Sequence, residues 1–198
     1  MNKIIESSCP VIIFIRGLPG SGKSFLASEL KKILGDDITV LDPDTIDINS
    51  KEYARHVEKC KSEGVDEVLF PYRFLRGQAY QAIRDNEIVI WNQPFTNLEI
   101  FNKMVANLRI QANENKTELM ILVVEMEISD EVAKERVISR KSEGGHGPSV
   151  ITFNRFINDY ESFKNDGYNT VTVFGEDDVK ESVQKVLDAI NELLLADQ

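Results

Sequence analysis

A three-layer α/β sandwich, in which a mostly parallel sheet of about five strands lies between two layers of helices, is the fold class predicted by these 198 residues. Two observations carry that expectation. Short β-branched apolar runs alternate along the chain with longer segments of helical period, and the first run opens directly into a glycine-rich loop. No internal repeat or low-complexity stretch interrupts the alternation, and with 42% hydrophobic residues the length suits one domain spanning 1–198.

Val11–Ile15 is apolar throughout, as a central strand buried on both faces must be. After the glycine loop, Leu26, Leu30, Ile33 and Leu34 recur with helical period, and Gly35 is placed to end that helix. Ile38–Leu41 reads as the second strand, closed by Asp42-Pro43-Asp44. A polar helix follows over about 50–63, with Tyr53, Val57 and Cys60 on one side, and another over about 72–85, with Leu75, Ala79, Ala82 and Ile83 inward. Ile88–Trp91 is the third strand, Phe101 to Ala112 marks a long amphipathic helix, and Leu119–Val124 is the fourth strand. Residues 129–141 read as a helix capped by Ser129 or Asp130, ending in the break Gly144-Gly145-His146-Gly147-Pro148, where a mobile segment is expected. Phe153, Phe156, Ile157, Tyr160 and Phe163 fit one further helix, Val171–Phe174 a last strand, and Val179–Leu195 a closing helix. Met and Phe residues at helical spacing are assigned to the core and given no chemistry.

The formal net charge of −10 repels polyanions and acidic membrane surfaces, so a long nucleic acid is disfavoured as a partner and any phosphate binding must be local. Cys9 and Cys60 lack metal-ligand spacing and read as reduced thiols rather than a disulfide framework. The apolar run before Arg16 is too short for a secretory core, and no segment is long enough to cross a bilayer, so a cytoplasmic location is expected.

Gly17-Leu18-Pro19-Gly20-Ser21-Gly22-Lys23-Ser24 matches the phosphate-loop pattern in full, and each fixed position has a physical task. Glycines let the backbone curl so that successive N–H groups converge on a phosphate, aided by the dipole of the following helix, which Phe25 enters. Lys23 adds a full charge for the β- and γ-phosphates, and Ser24 offers a hydroxyl to Mg²⁺, with Asp42 as a second candidate ligand. ATP or GTP with Mg²⁺ is the implied ligand pair, and the implied sandwich is of the P-loop NTPase type with strand order 2-3-1-4-5. Asp44 stands at the carboxyl end of a parallel strand, where it can accept a proton from an attacking hydroxyl, although Asp and Pro also form ordinary turns there. Arg136 and Arg140, four apart on one helical face, suit a charge-neutralising lid around 136–150; the same face could equally be solvated and paired with Glu131, Glu135 and Glu143. Lys141 is a weaker candidate for the same task.

With these residues in view, the chain resembles P-loop kinases of the zeta-toxin and polynucleotide-kinase type. Arg16-Gly17-Leu18-Pro19-Gly20-Ser21-Gly22-Lys23-Ser24 looks like their opening, and Val40-Leu41-Asp42-Pro43-Asp44-Thr45 is similar to the zeta-toxin strand ending in Asp-x-Asp-Thr. The resemblance implies that Asp44 is the general base, that Pro71-Tyr72 opens a helix of the zeta pattern, and that Arg136 corresponds to the first lid arginine. Gly144-Gly145-His146 is similar to a segment of zeta-like kinases. The second lid arginine has no clear counterpart, and His146 stands near its place, either as a phosphate contact or as a structural or solvated side chain. Trp91-Asn92-Gln93 departs from the family, which places a carboxylate here; neutral amides imply weaker metal ordering or a different substrate contact. The resemblance implies a kinase acting on a hydroxyl of a nucleotide, nucleoside or sugar-nucleotide. Tyr72, Arg73 and Trp91 are candidates to line the acceptor site, although aromatics beside strand ends are core at least as often. A nucleotide-gated regulator with weak NTPase activity and a polynucleotide 5′-hydroxyl kinase are the alternatives.

Overall fold

A computed structural model describes residues 9–35, 38–145, 147–164 and 166–195. Five strands, β1 (Val11–Gly17), β2 (Thr39–Leu41), β3 (Ile88–Asn92), β4 (Met120–Glu127) and β5 (Asn169–Phe174), form one sheet in the order β2-β3-β1-β4-β5. Every pairing is parallel. The helices between them are α1 (Lys23–Leu34), α2 (Lys51–Ser62), α3 (Phe70–Asp85), α4 (Leu98–Glu114), α5 (Asp130–Ser142), α6 (Val150–Asn158) and α7 (Val179–Leu195). Parallel strands require such crossovers, and the expected sheet order and three layers are both observed.

Strand alternation divides the core into two layers. Val11, Ile13 and Ile15 pack with Leu26, Leu30 and Leu34 of α1 and Val186 and Ile190 of α7, whereas Ile12 and Phe14 pack with Leu75 and Ile83 of α3 and Phe101 and Leu108 of α4. All seven β1 residues are buried, as a strand covered on both faces should be. A smaller third cluster, Ala133, Val137 and Phe153, joins α5 to α6.

Three expectations need correction. β1 and β4 run beyond their apolar stretches, to Gly17 and Glu127, because the charges that seemed to end them, Arg16 and Glu125, are register partners that form a buried ion pair. The helix expected through Phe163 stops at Asn158; Tyr160 and Phe163 instead leave helical geometry and cover the Arg16 guanidinium, whose carbon lies 4.2 and 3.6 Å from their ring centroids. α3 begins at Phe70, two residues early, because a short 3₁₀ turn over Glu67–Leu69 leads into it and Pro71 tolerates the first turn. Ser129, not Asp130, caps α5, accepting from Val132 N–H at 3.4 Å. Among the described residues no helix is long and apolar enough to cross a membrane. Cys9 and Cys60 are both buried, and His146 lies outside the described residues.

Candidate active site

The carboxyl ends of β1, β2 and β3 meet at one edge, and the loop Gly17–Ser24 curls there from β1 into α1. Its curl needs glycine. Gly20 sits at φ +87°, and a Cβ there would stand 2.4 Å from the Ala133 carbonyl oxygen, so α5 packs directly on the loop. Gly22 caps α1 in the left-handed region without a side-chain bond, leaving the first turn's N–H groups facing the loop. Leu18 and Ser21 are buried, Pro19 is half-buried, and Phe25 projects from the first turn of α1 at 59% exposure.

Lys23 is buried within this curl, its Nζ donating to the carbonyls of Gly17 and Leu18 at 2.9 Å each. Burial pulls its pKa down to about 8; Asp42 and Asp44 oppose the shift and Arg140 adds to it. The ammonium therefore senses both acidic residues at the β2 end and one of the two candidate lid arginines. Ser24 Oγ donates to Asp42 Oδ2 at 3.4 Å, and Asn92 Nδ2 donates to Ser24 Oγ at 2.9 Å and also to Asp42 Oδ2. Asp42 Oδ1 accepts from the Asp44 N–H at 2.9 Å, which shapes the turn that presents Asp44 at the exposed rim.

Asn92, a departure from the family pattern in sequence, thus lies at the corner between Ser24 and Asp42. Its Oδ1 is buried without a partner. Hydroxyl, carboxylate and an amide oxygen with no other acceptor duty form a hard-oxygen set of the kind that binds Mg²⁺ through few protein ligands, so these residues fit the ion. Neighbouring Trp91 and Gln93 line a cavity of about 580 Å³ between α3 and α4, along with Tyr72, Arg73 and Phe156. Phe101, Met104 and Phe156, assigned only to packing by their helical spacing, are also part of its wall.

Arg136 lies on α5 with Nη1 2.9 Å from the Gly175 carbonyl oxygen and 3.5 Å from that of Gly20, tying the helix to the loop and to the turn after β5. Arg140 couples electrostatically to Lys23. Among the described residues neither arginine pairs with Glu131, Glu135 or Glu143; Glu143 is instead bonded by Ser139. The structure therefore brings Lys23, Ser24, Asp42, Asp44 and both arginines to one edge of the sheet.

Arg16 had no assigned role beyond its place in the motif. Its Nε and Nη2 donate to Phe95 O at 3.1 and 3.0 Å, Nη2 donates to Glu161 O at 2.5 Å, and Nη1 pairs with Glu125. Burial lowers its pKa, against the raising influence of Tyr160 and Glu125. Phe95, held at φ +46°, belongs to the cavity wall, so this one guanidinium fastens the loop after β3 to the strand that carries the phosphate loop. A single charge directly after each of two apolar runs, Val11–Ile15 and Leu119–Val124, was the sequence signal for that pair.

Sheet order and loop together define a P-loop NTPase-like α/β protein. The AAA domain family matches residues 12–161, and the chain belongs to it. A search of the curated proteins found no match. Among solved structures the chain is similar to a gluconokinase from Sinorhizobium meliloti 1021, at 16% identity over 95% of this chain and 94% of that one, TM-score 0.59. It is also similar to the APS kinase CysC of Mycobacterium tuberculosis in complex with AMPPNP and APS, at 17% identity over 92% and 98%, TM-score 0.56. The PezAT toxin-antitoxin system of Streptococcus pneumoniae is a third, at 13% identity over 96% and 88%, TM-score 0.60. At these identities the likeness is one of fold.

Proposed function

We propose that this protein is a kinase that moves the γ-phosphoryl group of ATP or GTP to a hydroxyl of a small molecule, in the manner of zeta-toxin-like P-loop kinases. The observation that carries the reading is the alternation at the end of β3. Asn92 meets Ser24 and Asp42 beside the phosphate loop, while its neighbours Trp91 and Gln93 line a cavity large enough for an organic substrate. A hydrolase needs room only for water; an organic-sized cavity at the end of the strand that carries Asn92 supports an organic acceptor.

In this account the loop N–H groups and Lys23 hold the β- and γ-phosphates. Lys23 exchanges its bonds to the Gly17 and Leu18 carbonyls for phosphate oxygens, which favour its charged form. Ser24 and Asp42, with Asn92 beside them, would hold Mg²⁺, which when bound would neutralise charge on the triphosphate. Asp44, exposed at the rim, takes the proton of the acceptor hydroxyl as that oxygen attacks phosphorus. Arg136 and Arg140 balance the charge that accumulates on the transferring group, the task of the proposed lid around 136–150. The fold-level likeness to kinases of different acceptors supports the reaction type and leaves the acceptor class open: nucleotide, nucleoside or sugar-nucleotide.

Incubation with Mg·ATP or Mg·GTP and a panel of nucleosides, nucleotides and nucleotide-sugars, followed by mass spectrometry, tests the reading. A product 80 Da heavier than one acceptor, roughly 10²- to 10⁴-fold slower to form in Asp44→Asn with triphosphate affinity unchanged, is expected. Equal rates in the two proteins would remove Asp44 from its role. The neutral amide at Asn92 favours one second reading, a nucleotide-gated regulator, which predicts tight triphosphate binding and no transferred product.

A further inference from the structure

Although the chain carries a net charge of −10, no Asp or Glu lines the cavity between α3 and α4, whereas Arg73, Arg76 and Lys103 do. Two of these cations are already neutralised: Arg73 by Glu63 at 3.2 Å and Lys103 by Glu99 at 2.6 Å. Arg76 is different. It is half-buried against a largely apolar wall and, among the described residues, makes no hydrogen bond or ion pair. A guanidinium with no counter-charge beside apolar surface is free to donate paired hydrogen bonds to a ligand oxyanion.

The same cavity has an aromatic wall. Trp91, buried at 2% exposure, forms part of it. Tyr72, Phe95, Phe101 and Phe156 line the same cavity, a surface that suits a flat aromatic heterocycle better than a polyhydroxylated sugar acid.

We infer that the acceptor is a nucleoside monophosphate, its phosphate seated on Arg76 and its base against the aromatic residues of the cavity wall. The inference rests on the kinase reading for the word acceptor, but the site itself is defined by binding. It selects among the acceptor classes left open above: an unphosphorylated nucleoside leaves Arg76 unpaired, and a sugar phosphate leaves the aromatic wall without a stacking partner.

Trp91 is the sole tryptophan of the chain, so intrinsic fluorescence reports on this cavity without any turnover. The four ribonucleoside monophosphates, the matching nucleosides, ribose 5-phosphate and gluconate are titrated into protein whose phosphate loop is saturated with a non-hydrolysable triphosphate. At least one monophosphate should change Trp91 emission saturably and bind roughly 10- to 100-fold more tightly than its nucleoside. Arg76→Ala should erase that difference while leaving nucleoside affinity in place, and Arg76→Lys should restore part of it. A monophosphate preference that persists in Arg76→Ala, an equal response to ribose 5-phosphate, or no response to any monophosphate would overturn the inference. Because no phosphoryl transfer is measured, a protein that binds monophosphate but makes no product would sink the kinase reading and leave this site standing.

Discussion

Replacing Arg16 by Met tests whether the two sides of the site are fastened through one buried guanidinium. Both Arg16 and Glu125 are almost wholly sequestered, at 0% and 2% side-chain exposure, so removing the cation leaves a carboxylate in the core with no partner. Breaking a buried pair in this way costs about 3–5 kcal/mol. The carbonyls of Phe95 and Glu161 also lose their donors, and the rings of Phe163 and Tyr160 lose the cation between them. Against a total stability on the order of 5–15 kcal/mol for a domain, such a loss is severe. Arg16→Lys retains charge but has no planar fork to serve Glu125, Phe95 O and Glu161 O together, so it should fall between wild type and Arg16→Met. The double variant Arg16→Met/Glu125→Leu replaces both charges with apolar groups and should recover most of the stability. Urea unfolding, followed by circular dichroism and by Trp91 emission, gives the comparison directly. A loss below about 1 kcal/mol in Arg16→Met, or a double variant no more stable than the single, would refute the argument.

Further outcomes follow from the loop. Lys23→Ala should abolish triphosphate binding with little loss of stability, and unchanged affinity in equilibrium titration would remove the site assignment. Lys23 also sets a pH dependence: its pKa in the free protein lies near 8, below the usual lysine value, and bound phosphate raises it, so binding takes up a proton above that pH. At pH 9 about one free molecule in eleven carries the charge, and metal-free triphosphate affinity should be roughly tenfold weaker than at pH 7; a flat profile with no proton uptake by calorimetry would contradict this. Gly20→Ala should destabilise the protein by more than about 1 kcal/mol, because its φ of +87° and the Ala133 carbonyl both exclude a Cβ. Gly77→Ala, in the interior of α3 with nothing within 4 Å of the added carbon, should instead stabilise by about 0.5–1 kcal/mol in the same denaturation assay.

Much of the fold was legible because the signals were local. An apolar run buried on both faces, a full phosphate-loop pattern and a helix ended by Gly35 fix β1, the loop and α1 without tertiary information. What escaped was long-range. Arg16 and Glu125 each looked like the end of a strand, since a lone charge breaks an apolar run, and only the β1–β4 register shows that each neutralises the other. Tyr160 and Phe163 matched a helical period, but covering that guanidinium required the chain to leave the helix after Asn158. At the site, Lys23, Ser24, Asp42 and Asp44 were nominated by residue type and strand-end position, and the structure does gather them. Asn92 was visible only as a missing carboxylate; the expected strand order put β3 between β1 and β2, but the bonds of its side chain to Ser24 and Asp42 are side-chain geometry that strand order does not give. The acid-free character of the cavity was equally hidden, because its cations come from α3 and α4 and the overall charge is strongly negative.

The central claim is transfer to a hydroxyl rather than to water, and the most direct test counts nucleoside diphosphate formed against phosphorylated acceptor formed. With Mg·ATP and an acceptor that perturbs Trp91 emission, the account predicts one phosphorylated acceptor for each diphosphate released, with release nearly silent when the acceptor is omitted. Diphosphate release that is the same with and without every acceptor, accompanied only by inorganic phosphate, would contradict it.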